Sequence, residues 1–249
     1  MKNNSTQNFF SVILESARKR MESMSESKKN KLKESLEHGL TELNTEDEMD
    51  MYLSSYGAIH QEKLLIAFDK IPRKIMREGK ISVIDYGCGQ GTASIVLCDV
   101  FQQIFGHADT VSDFHLIEPS LACLRRAVNF IHEFNPEARI IYFNNPCEDI
   151  WRMDLNPKSE VVVHLFSNVT DMPEFPREAV ARKLNDMNDH YNIAVCVSPF
   201  YQENGRAKHM DEFGSMLRTF NCHYEFEKHT DEWEKPYSCQ ARVFVSRYY

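Results

Sequence analysis

Three glycines fall within five residues of the stretch VIDYGCGQGTASI, Val83 to Ile95, directly behind an apolar run that ends in Asp85. Glycine reaches positive φ without steric cost and carries no side chain, so Gly87, Gly89 and Gly91 make a tight turn of bare backbone. Apolar strand, acid, bare turn and helix, in that order, leave few folds open. The arrangement belongs to an open α/β sheet, whose ligands lie against such a turn at the carboxyl ends of the strands.

The chain from residue 80 onward agrees with this. Short apolar runs at 81–85, 114–118, 139–143, 160–166 and 192–199 read as strands. Helix-length segments fill the gaps near 91–105, 120–134, 146–153, 174–189 and 206–220. Alternation of this kind predicts a parallel sheet with helices on both faces, a doubly wound Rossmann-like α/β fold. Runs at 223–228 and 242–248 follow each other without a helix, as an antiparallel pair would. GHADTVSD reads as a surface insertion ahead of the second strand.

Residues 1–79 read differently. Phe10, Ile13, Leu14, Ala17, Met21 and Met24 recur at helical spacing, and Leu32, Leu36, Leu40 and Leu43 repeat the pattern. Thr45 and Glu48 form a capping box ahead of Met49, Tyr52, Leu53 and Tyr56. A fourth helix is expected around 59–69, ending before Pro72, and MESMSESKKNK reads as a flexible joint. The expected organisation is an N-terminal helical cap or lid at 1–79 and a ligand-binding core at 80–249.

Which ligand suits the turn follows from spacing and charge. A dinucleotide turn has the order G-x-G-x-x-G, but Thr92 stands where the third glycine is needed. A pyrophosphate also gains from the helix N-terminus, which an aspartate at the turn would oppose. The acid suits a cationic ligand.

Asp85-Tyr86-Gly87-Cys88-Gly89-Gln90-Gly91 resembles motif I, D/E-x-G-x-G-x-G, of the class I S-adenosylmethionine-dependent methyltransferases, and the resemblance covers roughly 80–249. It implies a seven-stranded sheet, mostly parallel with an antiparallel C-terminal strand, and S-adenosyl-L-methionine as cofactor. In that family the loop (Asp85, Gly87, Cys88, Gly89, Gly91) contacts the methionine part of the cofactor, the acid holding its amino group. Glu118, with Pro119 behind it, matches the acid that binds the ribose hydroxyls. Asn145, Cys147 or Glu148 would supply the adenine contact, Phe166, Ser167 and Asn168 would line the sulfonium side, and Tyr56 and His60 would close over the cofactor.

Other strings are weaker. Pro146-Cys147 resembles the nucleophilic pair of cytosine-C5 methyltransferases, but it follows the third strand where theirs follows the fourth, so a buried thiol is the better reading. Ser198-Pro199-Phe200-Tyr201 lacks the second proline of the base-methylating motif and reads as the lip of a substrate pocket. His164, inside an apolar strand, reads as a satisfied core residue. His60, His209 and Tyr201 are the catalytic candidates, and no metal-ligand spacing is visible.

Seven scattered cysteines with no CxxC, and the absence of signal-peptide features, point to reduced thiols in the cytoplasm. No window is apolar enough to span a membrane. A net charge of −8 gives no global basic footprint for nucleic acid. The expected function is methyl transfer to an O, N or S nucleophile, with a small-molecule acceptor favoured. RNA or protein methylation is the enzymatic alternative, and a catalytically silent interaction module is the alternative of another class. The oligomeric state is not readable.

Overall fold

A computed structural model of the chain describes residues 8–36, 41–73, 80–106, 110–151, 154–200, 207–229 and 237–247. Among them are helices α1 (Phe9–Glu22), α2 (Glu26–Ser35) and α3 (Glu46–Phe68), followed by strand β1 (Ile81–Tyr86). Then come α4 (Thr92–Phe105), β2 (Val111–Ile117), α5 (Leu121–Phe134) and β3 (Arg139–Phe143). After β4 (Val161–Ser167), α6 (Arg177–Asn185), β5 (Tyr191–Pro199) and α7 (Ala207–Met216), the chain ends in β6 (Phe220–Lys228) and β7 (Cys239–Ser246).

The seven strands form one sheet in the order β3-β2-β1-β4-β5-β7-β6. The first five are parallel to their neighbours, and β7 runs antiparallel to both β5 and β6. The order reverses between β1 and β4, which is the switch point where open sheets of this kind bind ligands. The expected doubly wound sheet with a reversed C-terminal strand is what forms.

Period-2 burial sorts the strand side chains into two apolar layers. One holds Ile81, Val83, Leu165, Val195 and Val243 beneath α1, α3, α4 and α5. The other holds Ile84, Tyr86, Val162, Phe166 and Phe244 beneath α6 and α7. Phe10, Ile13, Leu14, Leu53, Leu64 and Phe68 belong to the first layer, so the hydrophobic core runs across residue 80 without a seam.

Three features fasten the N-terminal helices. The Asp99 carboxylate, on α4, accepts the backbone N–H groups of Phe9 (2.8 Å) and Phe10 (2.9 Å), supplying a cap from the core to the start of α1. Asp50, on α3, is clamped between Arg20 of α1 and Arg126 of α5. Burial pushes the Asp50 carboxyl up, but the hydrogen bonds from the two arginines outweigh it and leave it below its ordinary value. Gly57 lets α1 approach α3: a Cβ there would stand 3.0 Å from Leu14 Cδ1.

Several expected boundaries shift. The helices expected before and after Gly57 are one 23-residue helix, because the glycine serves a close approach and does not break the chain. Its capping box at Thr45 and Glu48 forms as expected. The joint expected at MESMSESKKNK is largely helical, with Ser25 capping α2. The helix expected at 146–153 is a single 3-10 turn at Cys147–Asp149. Val111, Ser112 and Asp113, expected in a surface insertion, are the start of β2, and Asp113 is buried among Ser82, Ser112 and His115. His164 sits in the core as expected, bonded to Tyr86 and Asn192.

Candidate active site

At the carboxyl end of β1 the backbone turns on Gly87 (φ 64°), Gly89 (φ 51°) and Gly91 (φ 79°). The three glycines do different things. A Cβ on Gly87 would lie 2.7 Å from Val169 Cγ1, and one on Gly91 would lie 3.1 Å from Ala127 Cβ, so both allow neighbouring elements to pack closely. Around the Cβ position of Gly89 there is nothing within 4 Å. Gly89 is therefore the point at which bare backbone faces open space.

Glu118 holds this loop from the end of β2. Its Oε2 accepts the Gly89 N–H at 2.9 Å and its Oε1 accepts the Ser120 N–H at 2.9 Å. Each carboxylate oxygen has a second lone pair, so the group can still accept from a ligand hydroxyl. Burial pushes the Glu118 carboxyl up, against the pull of those two backbone donors. Pro119 is exposed beside it, and Asn144 Nδ2 donates to the carbonyls of Glu118 and Pro119.

Asp85 is fully buried on the α4 side of the loop. Its Oδ2 accepts the Ser94 hydroxyl at 2.7 Å, and its Oδ1 has no hydrogen-bond partner among the described residues. Burial raises its carboxyl to about 7, the Ser94 hydrogen bond opposing and the nearby Glu118 charge assisting. A buried carboxylate oxygen without a donor is costly and is the mark of a group that a cationic partner would complete.

The remaining positions divide. Cys88 is buried within the loop and its N–H bonds the Ile117 carbonyl at 3.0 Å. Cys147 is buried beside Gly87, its thiol pushed up to about 12 by burial and by the charges of Glu118 and Glu148, with a backbone hydrogen bond from Gly87 working the other way. A thiol held that high is no nucleophile, in line with its sequence reading. Asn145 and Glu148 are exposed at the mouth of the same turn. The Phe166 ring packs against Tyr86, Phe175 and Phe213 in the apolar layer, so any ligand contact at that residue falls to its backbone. Ser167 and Asn168 stand half-buried at the end of β4.

Helix α3 passes over this edge of the sheet. Gln90, inside the glycine loop, donates to the Met49 carbonyl at 3.1 Å, and Ser120 donates to the Leu43 carbonyl. Tyr52, Tyr56 and His60 form a ring-on-ring stripe along the helix, with centroids 5.3 Å, 5.5 Å and 6.2 Å apart. Burial, helped by the Lys63 charge, holds the His60 imidazole well below its ordinary value, so it is neutral near pH 7. One turn further, Lys63 donates to Asn168 Oδ1 at 2.5 Å. His209 bonds the Asp171 carbonyl at 2.9 Å behind the same loop, and Tyr201 lies outside the described residues.

Gln90, Ser120, Asn144 and Lys63 were not among the expected site residues. Lys63 had a signal, since it continues the 52-56-60 spacing by three residues and so shares their helical face. The other three act by side-chain bonds to distant backbone, which no spacing shows.

With this geometry in view, comparison with solved structures decides the fold. The chain matches the S-adenosylhomocysteine-bound methyltransferase PaMTH1 of Podospora anserina over 97% of its own length and 89% of that chain, at a TM-score of 0.50 and 11% identity. The fold is that of the class I methyltransferases. The small RNA methyltransferase HEN1 matches at a TM-score of 0.51 and 12% identity, over 76% of this chain and 25% of HEN1. An S-adenosylmethionine-dependent methyltransferase of Clostridium acetobutylicum matches at a TM-score of 0.46 and 9% identity, over 77% of this chain and 98% of that one. No family model and no curated protein matches the sequence. Among the described residues no helix is long and apolar enough to cross a membrane, and no cluster of His, Cys, Asp and Glu suited to a metal ion occurs.

Proposed function

We propose that this methyltransferase fold binds S-adenosyl-L-methionine and transfers its methyl group to an O, N or S nucleophile of a small molecule. The observation that carries the reading is the glycine loop: open backbone at Gly89, Glu118 fastened to it, and the buried Asp85 oxygen beside it that lacks a donor. A cofactor with a cationic amino group at one end and ribose hydroxyls in the middle matches that donor and acceptor set. Asp85 would hold the amino group, Glu118 the ribose, and the turn of Asn145, Cys147 and Glu148 the base. When bound, the cofactor supplies an electrophilic methyl group on a sulfonium.

The chain's own contribution to such a reaction is alignment and exclusion of water. The ends of β4 and β5 lie beside the loop, where Ser167 and Asn168 would line the sulfonium side of the cofactor and the acceptor would lie beyond them. The Tyr52, Tyr56 and His60 stripe would cover that space. The His60 imidazole is neutral, but the burial and the Lys63 charge that keep it so also oppose its protonation, so its contribution would be packing and orientation more than proton uptake. The net charge of −8 favours a small acceptor over RNA.

Calorimetry with S-adenosylmethionine, followed by incubation of protein and methyl-labelled cofactor with fractionated lysate, tests the proposal. Binding with label entering the small-molecule fraction supports it. Label entering RNA or protein overturns the acceptor class, and absence of cofactor binding overturns the whole reading.

A further inference from the structure

Lys63 is the least accounted-for group at this edge of the sheet. Its side chain is 2% exposed, yet an ammonium has three N–H groups and only one finds an acceptor among the described residues, Asn168 Oδ1 at 2.5 Å. It makes no salt bridge among the described residues. The described groups that act on it electrostatically are the Cys239 thiol, itself pushed up by burial and so uncharged near pH 7, and Asp171. Burial depresses the amine to about 8, and those two groups only partly offset the effect. A buried cation with donors left over is expensive to maintain and does nothing for packing that a methionine would not do.

Its surroundings aim it. Asn168 follows β4 at φ 60°, the single described residue other than glycine with positive φ. The backbone there is pinned by an N–H bond to the Val197 carbonyl at 2.7 Å, and Nδ2 donates to the Ser167 hydroxyl at 3.1 Å, which turns Oδ1 toward Lys63. Cys239 pairs in register with Pro199, so the ammonium stands over the ends of β4 and β5, beside the glycine loop and not within it. The aromatic stripe lies on the same face of α3, one turn away.

We propose that Lys63 is the specificity-determining residue for the acceptor, and that it pairs with an anionic group, a carboxylate or a phosphate, carried by that small molecule. The inference rests on the small-molecule reading above. Asn168 is the positioning residue that holds the ammonium in place, and the two N–H groups that have no acceptor among the described residues receive the anion.

The test uses the full-length protein, methyl-labelled S-adenosylmethionine, and an ultrafiltered lysate freed of macromolecules and split on an anion exchanger. Label is expected in molecules drawn from the anionic fraction, and prior phosphatase treatment separates phosphate from carboxylate. Lys63→Met is expected to fold with an unchanged or higher melting temperature and unchanged cofactor affinity, while transfer to the anionic fraction falls by about tenfold or more, chiefly in KM. Lys63→Arg should recover part of the loss. Label drawn only from the uncharged fraction overturns the inference and leaves the methyltransferase reading standing; label in neither fraction, nor in added RNA or protein, overturns both. A Lys63→Met protein that melts lower and loses cofactor binding shows Lys63 to be structural.

Discussion

Over β1 and β2, the groups that fasten the glycine loop come from one short stretch, 85–91, and one residue directly after the next strand, Glu118. Over β4 and β5, Lys63, Asn168, Asp171 and Cys239 come from three separate places, a helix that lies before the sheet in the chain, the turn after β4 and the start of β7. The first half is held by backbone: two N–H groups fix Glu118, and positive φ shapes the turn. The second is held by side chains on α3, whose position depends on α1 and on the Asp50 clamp. A site built from local backbone keeps its form across many sequences, whereas one built from distant side chains can be re-specified by changing a few of them. Recognition of the common reactant is expected in the first kind and choice of the variable one in the second.

The largest effect should come from removing the element that both halves share. A chain beginning at residue 80 would strip Phe10, Leu14, Leu53, Leu64 and Phe68 from the layer that covers Leu97, Phe101, Val195 and Val243. Each such side chain contributes about 1.5–3 kcal/mol by burial, and the sum is comparable to the whole stability of an ordinary domain, about 5–15 kcal/mol. The truncated chain should fail to fold, shown by loss of a cooperative thermal transition. A stable, soluble 80–249 fragment would show that the helices are a detachable lid.

The next contrast lies inside the loop. Gly87→Val places a side chain 2.7 Å from Val169 before its other methyls are counted, so overpacking should cost about 1–3 kcal/mol. Left-handed backbone at φ 64° adds about 1–2 kcal/mol. Gly89→Val meets nothing within 4 Å and carries only the backbone penalty, yet it fills the space assigned to the cofactor. Cofactor binding should be lost in both, with the larger drop in melting temperature in Gly87→Val. Normal binding by Gly89→Val would show that the loop cradles nothing.

Glu118→Gln follows. The amide keeps one acceptor for the two backbone N–H groups and loses the charge, so cofactor affinity should fall by the worth of a charge-assisted hydrogen bond, about 1.5–3 kcal/mol. Calorimetry reads it directly, and unchanged affinity would remove Glu118 from the cofactor site.

How much of this was legible in the sequence follows the same division. The loop, Glu118, the strand order's parallel core and the reversed end could be read because each rests on contiguous residues or on a period of 2 or 3.6. The single helix α3 could not, because Gly57 breaks helices in isolation and only the approach of Leu14 explains its presence. Cys147–Asp149 fails as a long helix because the chain is drawn down to Gly87 and to Lys183, which bonds the Cys147 and Glu148 carbonyls. Phe166 was assigned by its place after the fourth strand, but strand alternation turns its ring into the apolar layer. The spacing puts Lys63 on the face of Tyr52, Tyr56 and His60, but nothing in it shows that the ammonium is buried against Asn168, 105 residues on.

The last prediction concerns protons at Asp85. Its carboxyl titrates near 7 in the folded chain, raised by burial, and near 4 when unfolded. The folded state therefore binds the proton more tightly, and this residue's contribution to stability declines as pH rises from about 4 to about 7, then levels off. Cofactor affinity moves the opposite way. If Asp85 pairs with the cofactor's amino group as carboxylate with ammonium, binding needs Asp85 ionised, so affinity should climb by up to about tenfold per pH unit below 7. It should fall again above about 8, where an α-amino group loses its proton. Calorimetry between pH 5.5 and 9 should thus give a bell whose acid limb vanishes in Asp85→Asn. Affinity that is flat across the acid limb in the unmodified protein would mean that Asp85 does not meet the cofactor's charge, and that its buried oxygen serves the fold alone.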